Sequence, residues 1–155
     1  MTNFEKNIVG WLEYNNFDVG VMFEEDFGYD RESNTLHIGT LAYEDVCRWF
    51  EQYLYEFGME YTGVYDPVLC LLHELGHYKT IDDFSEEELM VYDFAKNMLD
   101  DRMEIQEVMN KYWDSPDEFA ANMWVVNYVN LHIDAVEALC EIYWKYWNEF
   151  VEENN

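Results

Sequence analysis

The chain has 155 residues, a length that suits one compact domain with a sizeable core, and we expect a single domain over residues 1–155. Hydrophobic residues make up 50% and aromatic residues 19%, so the composition excludes intrinsic disorder despite a formal net charge of −26. With 34 acidic residues against 8 basic ones, the surface repels phosphate groups. This charge argues against direct binding to nucleic acid or to an anionic membrane.

Three features of the sequence predict a cytoplasmic protein. It contains no run of about 18 apolar residues, and residues 1–6 lack the charged and apolar regions of a signal peptide. The three cysteines, Cys47, Cys70 and Cys140, are odd in number and sit in apolar patterns. Such cysteines are typical of free thiols in a reducing compartment.

The N-terminal third predicts a short amphipathic helix followed by a small sheet. The helix covers residues 4–14, and residues 17–23 and 35–40 have the composition of strands. The intervening residues 24–34 are rich in Asp, Gly, Ser and Asn and read as a loop. We therefore expect an antiparallel hairpin with a long loop.

The rest of the chain has helical periodicity. Apolar residues recur at spacings of three and four from Val46 to Phe57 and stop at Gly58, and Asp66-Pro67 is typical of a helix start. Capping-box patterns at residues 85–88 and 115–118 predict helices running to about residues 110 and 130, and a last helix covers about 135–150. The expected fold is α+β and mostly helical, with a small N-terminal antiparallel sheet packed on the helix that follows Asp66 and on further helices.

The motif His73-Glu74-Leu75-Gly76-His77 lies in that helix and predicts a metal site. Residues four apart share one helix face, so His73 and His77 can direct imidazole nitrogens at a single ion. Glu74 is offset from this face and can take a proton from a metal-bound water, whose pKa zinc lowers to about 7. Gly76 has no side chain and allows another element to approach closely.

A catalytic zinc also needs a third protein ligand, for which the sequence offers rivals. Glu118 precedes small residues that would allow close helix packing, but it is also the third residue of the Ser115 capping box. Asp83 stands where one zincin branch has a ligand, although that branch wants glycine at the position of Thr80. Asp82 and Glu104 are further alternatives. Two imidazoles and a carboxylate suit zinc well.

The remaining histidines, His37 and His132, are interpreted as structural. His132 could contact a substrate or stabilise an oxyanion, but a lone histidine near a helix junction more often has a structural role.

Two segments carry a resemblance to a known family: residues 72–77, Leu-His-Glu-Leu-Gly-His, and residues 118–122, Glu-Phe-Ala-Ala-Asn. Together they resemble the ImmA/IrrE-type zinc metallopeptidases, gluzincin-like zincins common in phages and mobile elements, over about residues 60–130. The resemblance implies that His73, His77 and Glu118 bind zinc and that Glu74 is the general base. It also implies a small sheet before the active helix and cleavage of DNA-binding repressors. The chain departs from the family in its acidity and in residues 124–128.

Two main functions compete at this level. The first is a zinc metallopeptidase acting on a protein, such as a basic DNA-binding repressor attracted by the acidic surface. The second is an acidic phage-like protein that imitates DNA and inhibits a host DNA-binding protein, with zinc structural or vestigial. A third is a degenerate peptidase that binds without cutting. Structural zinc is normally closed by four ligands that often include cysteine, and no cysteine here has ligand spacing, which favours the enzyme. The sequence leaves the oligomeric state open.

Overall fold

The computed structural model describes residues 1–40, 42–100 and 102–154. In chain order the elements are α1 (Asn3–Tyr14), β1 (Gly20–Phe23), β2 (Gly28–Asp30), β3 (Thr35–Ile38), α2 (Glu44–Glu56), α3 (Asp66–Thr80), a 3-10 turn (Ile81–Asp83), α4 (Glu86–Asn97), α5 (Ile105–Trp113), α6 (Pro116–Leu131) and α7 (Ile133–Asn154). The mostly helical α+β class is confirmed, and the predicted helices near residues 4, 46, 66, 85, 115 and 135 all begin close to the expected positions.

The sheet is mixed and has the strand order β1-β3-β2. β1 and β3 pair in parallel, with Gly20 opposite Thr35, so the predicted antiparallel hairpin between them is wrong. The cause is a third strand within the expected loop, because β2 turns back through residues 31–34 and takes the antiparallel place beside β3. Asp30 Oδ1 accepts a hydrogen bond of 3.0 Å from the Glu32 amide, and Asn34 has a left-handed φ of 50°; both are features of a tight turn.

The expected helix over residues 86–110 is also wrong in its extent, because α4 ends at Asn97 and α5 begins at Ile105. The break lies beside Asp100, whose Oδ1 accepts a hydrogen bond of 2.9 Å from the Arg102 amide. The Asp100 carboxylate also pairs with the Arg102 guanidinium at 3.0 Å. Local bonds of this kind offer the backbone an alternative to helical pairing.

Helix α3 lies at the centre of the molecule. Its buried residues cover an arc of about 200° of the helix, and the remaining side carries the half-buried His73, Glu74 and His77. The buried residues are Pro67, Val68, Leu69, Leu71, Leu72, Leu75 and Gly76. Helix α3 contacts α2, α6, α7, β2 and β3, so side chains at its C-terminal half are held from several directions. Within the described part of the chain, no helix combines the length and apolarity needed to cross a membrane.

Candidate metal centre

The structure brings His73, His77 and Glu118 together. Nε2 of His73 lies 3.3 Å from Oε1 of Glu118, and Nε2 of His77 lies 2.8 Å from Oε2 of the same carboxylate. The two imidazole rings are 4.7 Å apart and nearly perpendicular. One donor atom from each residue lies within 4.8 Å of the other two, so the three side chains could hold a metal ion.

Close packing of α3 on α6 produces this convergence. A Cβ added to Gly76 would lie 2.5 Å from the carbonyl oxygen of Ala121 and 3.0 Å from its Cα. Any side chain at position 76 would therefore push the helices apart. Ala121 lies one helical turn beyond Glu118, so the contact that needs glycine also sets the distance from Glu118 to the histidines.

Glu118 faces the histidines and does not cap its own helix. No side-chain hydrogen bond caps α6 at Ser115, and the Ser115 hydroxyl instead donates to Oδ1 of Asp117 at 2.9 Å. Glu118 is only 2% exposed and has both oxygens directed at imidazoles. The alternative third ligands, Asp82, Asp83 and Glu104, are exposed and lie outside the convergent group.

Asn122 orients His73, and sequence reasoning did not find this role. The asparagine is fully buried, and its Oδ1 lies 2.8 Å from Nδ1 of His73. Its Nδ2 donates to the carbonyl of Trp113 at 3.5 Å, which fixes the direction of the amide. Phe50 packs its ring edge-to-face with the imidazole at 5.5 Å. Partners of this kind hold a metal-binding histidine in one orientation and tautomer.

The electrostatics of the group show how tightly these side chains interact. Burial favours the neutral imidazole of His73, but the hydrogen bond to Glu118, the charges of Glu74 and Glu118 and the bond to Asn122 outweigh it and raise its pKa to about 9. Burial alone would raise the pKa of Glu118, yet the hydrogen bonds and positive charges of His73 and His77 hold it well below its usual range. Without metal, the site therefore attracts a proton to His73.

Lys96 and Tyr112 are two further neighbours that the sequence did not reveal. Nζ of Lys96 pairs with Asp117 at 2.8 Å and lies 3.4 Å from Oε2 of Glu118. Burial opposes the Lys96 ammonium, but the bond to Asp117 and the charges of Glu118, Asp117 and Asp93 raise its pKa. Burial and the nearby Glu118 raise the pKa of Tyr112, which keeps this phenol protonated at neutral pH. The two residues belong to α4 and α5, so their position depends on tertiary packing.

Two clefts meet at Glu74. The larger, of about 600 Å³, is mostly polar and is bordered by β2, His77, Lys96, Tyr112 and Glu118. The smaller, of about 310 Å³, is mostly apolar and is bordered by His73, Tyr43, Val46, Phe50 and Trp113. Glu74 and Phe27 line both clefts. A chain-like molecule could therefore pass Glu74 with one part in polar and the other in apolar surroundings.

The other two histidines lie apart from the site. Nδ1 of His37, on β3, is 3.0 Å from a carboxylate oxygen of Glu24. His132 follows α6, is exposed, and packs its ring against Tyr128 at 4.7 Å. Neither contributes to the group formed by His73, His77 and Glu118.

Comparison of the chain with family models, with curated proteins and with solved structures finds no match. The assignment of a function therefore depends on the residues and their geometry.

Proposed function

We propose that the chain is a zinc-dependent metallopeptidase that hydrolyses a peptide bond in a protein substrate. The observation that carries the proposal is the convergence of His73, His77 and Glu118 beside Glu74 at the meeting point of two open clefts. Convergent donors alone would fit a structural site. The neighbouring carboxylate and the access for a substrate favour catalysis.

The donor set suits zinc. Two imidazoles and one carboxylate are ligands that zinc binds in catalytic sites, where a fourth position stays open for water. Among the residues that the structure describes, the convergent group offers three donors, in keeping with such a site. When bound, zinc would polarise the substrate carbonyl and lower the pKa of its water to about 7.

Glu74 is the proposed general base. It follows His73 directly on α3, and it lines both clefts, with His73 in the apolar one and with Tyr112 in the polar one. Glu74 would accept a proton from the attacking water on a carboxylate oxygen and then deliver it to the nitrogen of the leaving amine.

Tyr112 is suited to assist the same reaction. Its raised pKa keeps the hydroxyl protonated, and the residue lines the polar cleft together with His77 and Glu118. A neutral O–H at this point can donate a hydrogen bond to the substrate carbonyl oxygen as that atom gains negative charge.

Strand β2 supports a peptide as the substrate. It is an edge strand, because β3 pairs with it on one side only, and all three of its residues line the polar cleft. Edge strands present backbone N–H and C=O groups to which an extended peptide can add. An extended segment bound beside β2 would run past Glu74.

The proposed family is the ImmA/IrrE-type metallopeptidases, because residues 72–77 and 118–122 resemble two motifs of that family. The structure places these segments on α3 and α6, which pack against each other. In keeping with that family and with the net charge of −26, we propose a basic DNA-binding protein as substrate and the cytoplasm as the compartment.

Metal titration followed by a cleavage assay tests the proposal. Metal-free protein should take up one zinc ion per chain, as should Glu74→Gln, whereas His77→Ala should bind far more weakly. Zinc-loaded wild type should generate new amino termini in a proteome-derived peptide library, detected by mass spectrometry, and Glu74→Gln should generate none.

Glu13→Gln, the same chemical change at an exposed position of α1, is the control and should behave as wild type. A wild-type protein that takes up no zinc would overturn the proposal. If the chain were instead a DNA-imitating inhibitor, Glu74→Gln would leave its inhibition of a DNA-binding protein unchanged.

A further inference from the structure

Helix α4 exposes its apolar side to solvent. Met90, Val91, Phe94 and Met98 are 66%, 64%, 69% and 68% exposed, and at about 100° per residue they share an arc of roughly 100°. Soluble proteins ordinarily turn such a stripe toward the core. A contiguous exposed apolar stripe, two members of which are methionines, is typical of a surface that binds another molecule.

The opposite side of α4 faces the protein and the candidate metal centre. Leu89 is buried, and Leu89, Asp93 and Lys96 line the polar cleft. Lys96 reaches Asp117 and Glu118 from this side. The helix is therefore a wall of the cleft on its inner side and a bare apolar stripe on its outer side.

Carboxylates border the stripe. Glu86 and Glu87 are exposed in the first turn, and Glu88 lies toward one flank. Asp93, between the stripe and the cleft, is half-exposed and already pairs with Lys96 at 3.6 Å and with Arg31 at 4.0 Å, so the acidic rim consists mainly of the three glutamates. Lys96 is the one cation of α4, and it points inward to Asp117. An apolar centre with an acidic rim is complementary to an amphipathic helix that carries lysine or arginine beside its apolar residues.

We propose that the outer face of α4, defined by Met90, Val91, Phe94 and Met98, is a docking site for a basic amphipathic helix of a partner protein. A second copy of the chain fits poorly, because association would bring together two molecules of net charge −26. An anionic membrane is disfavoured by the same charge.

Because the docking site adjoins the cleft, we expect the substrates of the proposed peptidase to be proteins with a basic amphipathic helix. That part of the inference rests on the proposed function. A substrate held on the outer face of α4 would have its neighbouring segments within reach of β2 and Glu74. Tethering of this kind raises the effective concentration of the cleaved segment without a new contact at the reacting bond.

Binding is tested with metal-free Glu74→Gln protein, so that the result does not depend on zinc or on cleavage. The probe is a fluorescently labelled 18-residue helix of leucine and lysine with all leucines on one face, followed by anisotropy; the comparison peptide has the same composition in scrambled order. The amphipathic peptide should bind at least about tenfold more tightly than the scrambled one. Phe94→Ser and Phe94→Glu should each weaken binding of the amphipathic peptide about tenfold or more.

Leu131→Glu is the matched control for Phe94→Glu, because Leu131 is 77% exposed and the charge change is the same. If net charge alone bound the cationic peptide, these two changes, which each add one negative charge, would both leave its binding equal or slightly tighter, and that result would overturn the proposal. Equal affinity for the two peptides would do the same.

Two other occupants are tested in parallel. Dimerisation of wild type in analytical ultracentrifugation that Phe94→Ser abolishes would assign the face to a second copy. Phe94-dependent sedimentation with zwitterionic phosphatidylcholine vesicles would assign it to a lipid surface. Either result overturns the proposal. Failure of zinc uptake with peptide docking intact would overturn the peptidase and leave the docking site standing.

Discussion

The side-chain oxygen of Asn122 lies 2.8 Å from Nδ1 of His73. An amide oxygen can only accept a hydrogen bond, so Nδ1 of the neutral imidazole must carry the proton and Nε2 must present its lone pair. Nε2 is the atom that faces Glu118. One buried amide on α6 therefore decides which nitrogen of His73 is available to a metal.

Replacement of Asn122 should weaken zinc binding. Asn122→Leu has a similar size but no acceptor, and we expect a loss of affinity of about 10–100-fold, measured by competition with a chromophoric chelator. Asn122→Asp, which keeps an acceptor, should lose less. Asn127→Leu, at an exposed position of the same helix, is the control. Equal zinc affinities for Asn122→Leu and wild type would contradict the assigned role.

Gly76→Ala should destabilise the protein by about 1–3 kcal/mol. The new Cβ would meet the Ala121 carbonyl oxygen at 2.5 Å, and backbone cannot rotate away as a side chain could. Gly10→Ala, on helix α1, is the matched control, because its Cβ would meet no atom within 4 Å. This change should stabilise the protein by about 0.5–1 kcal/mol. Urea unfolding measures both. A neutral Gly76→Ala would show that α3 and α6 separate at little cost.

Local patterns account for the features that the sequence could predict. The spacing of His73 and His77 determines a shared helix face, and the Ser85 and Ser115 segments mark helix starts, because these relations hold within one turn of chain. Local sequence could not distinguish a capping role from a ligand role for Glu118, because the same residues are compatible with both. The crossing of α3 and α6 at Gly76 brings Glu118 beside the two histidines, and its side chain does not cap α6.

Features that depend on distant packing could not be predicted. A three-residue strand such as β2 is too short to show alternation, so its insertion beside β3 left no signal in residues 24–34. The interactions of Lys96 and Tyr112 with Glu118 join separate helices. The apolar stripe of α4 has the periodicity of a core-facing helix, and only the structure shows that it points outward.

Zinc affinity should fall as the pH falls below about 9. Without metal, the raised pKa of about 9 means that His73 holds a proton at neutral pH, and zinc must displace it. We expect release of about one proton per zinc and a roughly tenfold change in apparent Kd per pH unit between 6.5 and 9. Titration calorimetry in buffers of different ionisation enthalpy measures the released proton.

The raised pKa of His73 also makes the stability of the metal-free protein depend on pH. A folded-state pKa of about 9 lies above the value of 6.5 for free histidine, so this proton stabilises the fold fully below pH 6.5. The contribution is lost as the pH rises through about 9.

His132→Ala, at an exposed position, is the control for the calorimetry and should leave the proton release on zinc binding unchanged. Zinc binding without proton uptake by the buffer at pH 7 would contradict the protonated resting state.

Lys96 should contribute to stability and not to metal affinity. Asp117 is 5% exposed, and its Oδ2 pairs with the Lys96 ammonium at 2.8 Å, so Lys96→Met leaves a buried carboxylate with one fewer partner. Loss of one member of a buried pair costs about 3 kcal/mol, which urea unfolding can detect, and exposed Lys6→Met is the control.

Because the Lys96 ammonium also lies 3.4 Å from Oε2 of Glu118, it competes with a metal for that oxygen. Zinc affinity in Lys96→Met should therefore stay equal or rise while stability falls, a combination opposite to that expected if Lys96 supported the metal. Weaker zinc binding at unchanged stability would assign Lys96 to the site instead.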